Sequence, residues 1–162
     1  MAGIGSSLLR DGGAGPHAVL QAEQRLRACS GIVFKQLGAG GFDLLYELDG
    51  FDRAILVDCG GTGGIPGDIR EVVVDGKDGE AAAGDRRLAE CHGVDLMTVL
   101  ALGKQCGHRM PEQVVMIGIC GEDSLSFGTM PTPRVADALG RVVDLIEDKV
   151  LSWNNNNQAR SR

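Results

Sequence analysis

Aromatic residues are scarce in this chain: four Phe, one Tyr and one Trp among 162 residues. Because 43% of the residues are nonetheless hydrophobic, the core has to be aliphatic. Positive charge is also in deficit, with 16 Lys and Arg against 22 Asp and Glu, a formal charge of −6. That balance excludes a nucleic-acid grip made by bulk electrostatics. No apolar run approaches the ~18 residues of a membrane helix, and no charged start followed by an apolar segment marks a signal peptide. A cytoplasmic protein is expected. Five cysteines, Cys29, Cys59, Cys91, Cys106 and Cys120, include no Cys-x-x-Cys pair. Reduced, mostly buried thiols are therefore expected, rather than a disulfide frame or a zinc knuckle.

Glycine is abundant instead: 25 residues, about twice the usual ~7% share. The length fits one domain with a single sizeable core. Between glycine loops, short β-branched runs alternate with helical patterns. Val19, Ala22, Leu26 and Cys29 recur at helical spacing after Pro16, a residue suited to a first turn. Ile32–Phe34 predicts a short strand, and Phe42–Leu48 a short helix. Ala54–Val57, stopped by Asp58, is continuously apolar, as is Val114–Ile119, and both patterns predict strands covered on two faces. Ile69–Val74 is a further strand candidate, followed by a polar, mobile stretch over 75–84. Leu96–Leu102 predicts a helix, and Thr132-Pro133 predicts the capped start of a last one, ending in a frayed tail from the Asn154–Asn157 run. The expected fold is a three-layer α/β sandwich with a twisted, largely parallel sheet flanked by helices, over 1–152 with a disordered tail at 153–162.

Three places can carry chemistry. The opening Gly3-Ile4-Gly5-Ser6-Ser7-Leu8 lacks the third glycine of a dinucleotide fingerprint and has no strand before it, so plain backbone geometry is the better reading of its glycines. Asp58 ends a buried strand and precedes a glycine-rich loop through Gly67. A carboxylate there can bind metal or act as acid or base, and can equally cap its own loop. His92 leads into the Leu96–Leu102 helix; as a neutral imidazole it can ligate nickel, or make an ordinary hydrogen bond. His17 and His108 have less to recommend them.

In order along the chain, the Gly3–Pro16 loop, the Gly38–Leu45 loop and helix, the strand with Asp58, Pro66-Gly67, His92, Glu122 and Pro131-Thr132-Pro133 resemble the hydrogenase maturation proteases. These endopeptidases trim the C-terminal extension from the large-subunit precursor of nickel-iron hydrogenases. The resemblance implies a phosphorylase/hydrolase-like α/β fold and a nickel contact made by one carboxylate of the first loop, one Asp and one His. Asp58 and His92 fill the last two places. At the first place this chain has Gly12, leaving Asp11 as the carboxylate able to stand in, both for metal and for catalysis. Nickel is expected to arrive in the precursor, which is the expected partner; no nucleic acid or membrane partner is implied. The alternative that Gly12 favours is a non-catalytic maturation partner that binds the precursor or its nickel, and a small nucleotide-binding α/β protein is a third reading. Two further departures are Ser6, where the family usually has Asn, and the expected loss of the family's first strand, since only Met1 and Ala2 precede Gly3.

Overall fold

The two continuously apolar runs form the middle of a sheet. They are β3 (Arg53–Asp58) and β8 (Gln113–Ile119), parallel and in register from Arg53 opposite Gln113 to Asp58 opposite Gly118. The computed structural model describes residues 1–38, 40–60, 64–76, 80–84, 90–91 and 94–160. On one side of β3 lie β1 (Ala2–Ile4) and then β2 (Lys35–Leu37), both parallel. On the far side of β8 lie β4 (Ile69–Asp75) and then β5 (Glu80–Gly84), both joined in antiparallel fashion. The strand order is β2-β1-β3-β8-β4-β5. A separate ribbon pairs β6 (Glu90–Cys91) with β7 (Val94–Asp95).

Because successive side chains of a strand point to opposite faces, β3 and β8 feed two cores. Ala54, Leu56, Val114 and Met116 meet Leu44 and Leu45 of α2 (Leu44–Glu47) and Leu96, Val99 and Leu100 of α3 (Leu96–Gln105). Ile55, Val57, Val115, Ile117 and Ile119 meet α1 (Ala14–Leu26) and α4 (Pro133–Arg160). Each fully buried large aliphatic side chain contributes about 1.5–3 kcal/mol, so among the described residues two such faces carry the layered fold with no aromatic side chain fully buried in them. Asp95 caps α3, accepting from the Met97 N–H at 3.3 Å. Among the described residues no helix is long and apolar enough to cross a membrane, and Cys29, Cys59, Cys106 and Cys120 are free thiols.

Four local expectations change. The first strand is present: β1 is only three residues long yet pairs on both sides. Ile32 and Phe34 pack into the α1/α4 core, and the pairing strand falls at Lys35–Leu37. As the sheet's outer strand, β2 is only half-buried and tolerates Lys35 and Gln36. The 75–84 stretch contains β5, whose ladder needs backbone groups and not large apolar side chains. The Asn154–Asn157 run continues α4, since extending an established helix is far less costly than starting one.

Candidate active site

Burial without water is costly for a polar group, so buried carboxylates are informative. Among the described residues three polar or charged side chains are buried, Asp11, Asp58 and Thr132. All three belong to segments at the carboxyl ends of β1, β3 and β8, where open parallel sheets place their chemistry. Asp58, 6% exposed, is the last residue of β3.

Asp11 lies in a 3-10 turn between β1 and α1 and is fully buried. Its Oδ2 accepts the Glu122 and Asp123 N–H groups, both at 2.8 Å, and the Thr132 hydroxyl at 3.0 Å. Its Oδ1 accepts the Thr132 N–H at 2.6 Å. Burial pushes the Asp11 carboxyl up, but the N–H groups of Asp123, Thr132 and Glu122 and the Thr132 hydroxyl together outweigh it and hold the group below the ordinary carboxylate range. The Thr132 hydroxyl, expected as a helix cap, serves Asp11 instead. Three of these bonds end on Oδ2 and one on Oδ1, so Oδ1 is the oxygen with a lone-pair direction not taken by this set.

Further bonds bind the loop after β1 to the loop after β8. The Asp11 N–H donates to the Asp123 carbonyl at 3.1 Å and the Gly128 N–H to the Leu8 carbonyl at 2.9 Å. Arg10 Nη1 reaches Asp123 Oδ2 at 3.0 Å, and Leu9 and Phe127 form an antiparallel bridge. Gly12 is closed in by this arrangement, since a Cβ there would lie 2.9 Å from the Ser124 carbonyl oxygen and 3.1 Å from the Leu9 Cβ.

Cys59, half-buried, follows Asp58 directly, and its Sγ lies 3.6 Å from the Ser124 Oγ. Burial, with the negative charges of Asp11 and Asp58 and the Cys120 thiol nearby, pushes its thiol up to about 11 against the opposing Ser124 hydrogen bond. This pairing was hidden in the sequence, where a lone thiol reads as a small hydrophobe. Its one visible signal is position, next to the strand-end carboxylate.

His92 lies outside the described residues. His17 Nε2 is 3.0 Å from the Thr129 carbonyl, on the last loop. His108 is elsewhere: its Nδ1 pairs with Asp49 Oδ2 at 2.9 Å, and its ring meets Tyr46 edge-on, near the residues that lead into β3 and β8. A hollow lined by Val33, Phe51, Arg53, Glu112 and Trp153 also lies at those amino-terminal strand ends, away from Asp58. Among the described residues no three His, Cys, Asp or Glu side chains form a metal-holding cluster.

A mostly parallel sheet between helical layers, with buried carboxylates at its carboxyl edge, defines an α/β protein whose chemistry belongs at that edge. The same architecture occurs in the hydrogenase maturating endopeptidase HybD from E. coli, with a TM-score of 0.68 at 21% identity, covering 93% of this chain and 90% of that one. It also occurs in the [NiFe] hydrogenase maturation protease HycI from Thermococcus kodakarensis, with a TM-score of 0.61 at 18% identity over 91% and 88% of the two chains. The hydrogenase expression/formation protein HupD of Bradyrhizobium diazoefficiens is 28% identical over 153 residues, 93% of this chain and 77% of the relative. Residues 16–149 match the family model HycI, hydrogenase maturation protease. The chain belongs to the hydrogenase maturation protease family.

Proposed function

We propose that this protein is the endopeptidase that removes the C-terminal extension from the large-subunit precursor of a nickel-iron hydrogenase, in the cytoplasm, and that nickel already seated in the precursor licenses the cut. The observation that carries this reading is a carboxylate, Asp58, buried at the carboxyl edge of the sheet of a family member. Asp58 and His92 contact the nickel as part of the substrate. The metal orients the scissile segment and polarises its carbonyl or an attacking water. Asp11 contributes by holding the loop after β8 in place, through the four hydrogen bonds described above.

The test is mass spectrometry of nickel-loaded and nickel-free precursor incubated with the protein and with its Asp58→Ala and His92→Ala variants. Release of a C-terminal peptide is expected only with nickel and only when both residues are intact. Cleavage that ignores nickel sinks the reading. A second reading, a non-catalytic partner that binds the precursor, draws on Gly12, where the Ser124 carbonyl leaves no space for a further carboxylate without movement. Folded protein that holds the nickel-loaded precursor and never cuts it would establish that alternative.

A further inference from the structure

We propose that Leu125 and Phe127, with Leu8 beside them, form the surface on which an apolar segment of the precursor docks next to the bond to be cut. The inference rests on the endopeptidase reading above for the identity of the partner.

Leu125 and Phe127 are 86% and 87% exposed, the most exposed large hydrophobic side chains among the described residues. Single apolar side chains on a surface are ordinary, but these two share one loop, and Leu8, also exposed, lies against it. The Gly128 N–H donates to the Leu8 carbonyl at 2.9 Å, and Leu9 and Phe127 form the bridge already described. The backbone beneath them is tied down. Besides Gly128, the N–H groups of Glu122, Asp123 and Thr132 end on the Asp11 carboxylate, and that of Ser126 ends on Asp123 Oδ1 at 3.0 Å. A loop fixed at these points holds Leu125 and Phe127 outward, so the cost of hydrating them persists until another surface covers them. It also has little conformational freedom left to lose on docking.

Position identifies what covers them. Leu125 follows Ser124, whose hydroxyl lies 3.6 Å from the sulfur of Cys59, and Cys59 follows Asp58 at the end of β3. The apolar surface therefore borders the strand end that carries Asp58. A polypeptide that delivers a bond to that edge past Ser124 meets Leu125 and Phe127 with its neighbouring residues, whereas a second copy of this chain seated there would cover Asp58. An aromatic anchor beside an aliphatic one suits the water-excluded centre of such a contact. Because the contact is made with uncut precursor and persists in the transition state, it lowers KM and leaves kcat unchanged.

Cleavage kinetics on nickel-loaded precursor, and precursor binding measured in the Asp58→Ala chain so that nothing is cut, test the surface. Leu125→Ser and Phe127→Ser are each expected to raise KM about tenfold with kcat within about twofold, and to weaken binding by a similar factor. Leu20→Ser, on the exposed side of α1, is expected to change neither. Circular dichroism checks that each variant keeps its fold, and the two single variants are independent of one another. Unchanged KM and affinity in both overturn the docking surface and leave the endopeptidase reading standing. Sedimentation that shows a parental dimer falling apart in the variants, with precursor affinity unchanged, overturns it in favour of self-association. If the parent binds the precursor and never cuts it, while both variants bind about tenfold more weakly, the endopeptidase reading fails and the docking surface stands. No binding by the parent overturns both.

Discussion

Glycine at position 12 is matched to its neighbours, and the match runs through the backbone of Ser124. A Cβ there would press on a carbonyl oxygen at 2.9 Å, and a carbonyl held in a bonded loop cannot swing away as a side-chain tip can. Gly12→Glu, which restores the carboxylate of the family pattern, is therefore expected to destabilise the protein by about 1–3 kcal/mol through overpacking. Thermal unfolding should show a Tm lowered by several degrees. An unchanged Tm would mean that the 121–124 loop yields without cost. Asp58 was legible in the sequence because a carboxylate that stops a buried apolar run has few places to go. The partners of Asp11 were not, since Glu122, Asp123 and Thr132 are more than a hundred residues away and no local pattern encodes such a meeting. The contact of Cys59 with Ser124 was not legible either, since the two residues are 65 positions apart.

At the scale of elements, the opening glycines set how closely α1 approaches the sheet. A Cβ on Gly15 would lie 2.4 Å from the Val57 carbonyl and 2.5 Å from the Ile4 carbonyl, and one on Gly3 would lie 2.3 Å from the Gly15 carbonyl. The N-terminal turn of α1 thus rests directly on the backbones of β1 and β3. Gly15→Ala is expected to cost about 3 kcal/mol or more, because the whole helix start must lift and α1 separates from its apolar face. Urea unfolding should show the midpoint drop; a variant with parental stability would show that α1 can shift freely. This explains which elements could be read from the chain. β3, β8, α3 and α4 carry their own apolar periodicity. β1 and β2 do not, because three-residue strands owe their place to neighbours: β1 is held on both sides, and β2 is an outer strand built partly from polar residues.

For the whole molecule, one buried carboxylate links two ends of the chain, and its ionisation becomes a property of the fold. The Asp11 carboxyl titrates below its ordinary value of 3.8 when folded, so the unfolded chain binds its proton first as pH falls. The stability it contributes is complete above that value and is lost as pH drops through the lower, folded one. Asp11→Asn keeps the size but removes the charge and places an amide nitrogen among donors. A loss of about 3 kcal/mol at neutral pH is expected. The gap between variant and parent, followed by urea unfolding, should narrow below about pH 4, where the parent loses the same contribution. A gap constant down to pH 2 would show that Asp11 acts through shape alone.

The same long-range closure has a consequence for biosynthesis. A ribosome emits the chain from its first residue, so Asp11 leaves the tunnel long before Thr132 exists. During that interval α1 lacks α4, and the Asp11 carboxylate must remain hydrated. Bringing such distant segments together requires closing a long loop before any contact rewards it, which slows folding. The catalytic edge is thus among the last parts of the molecule to assemble, and a chain stalled before residue 132 has no means of presenting it to a client.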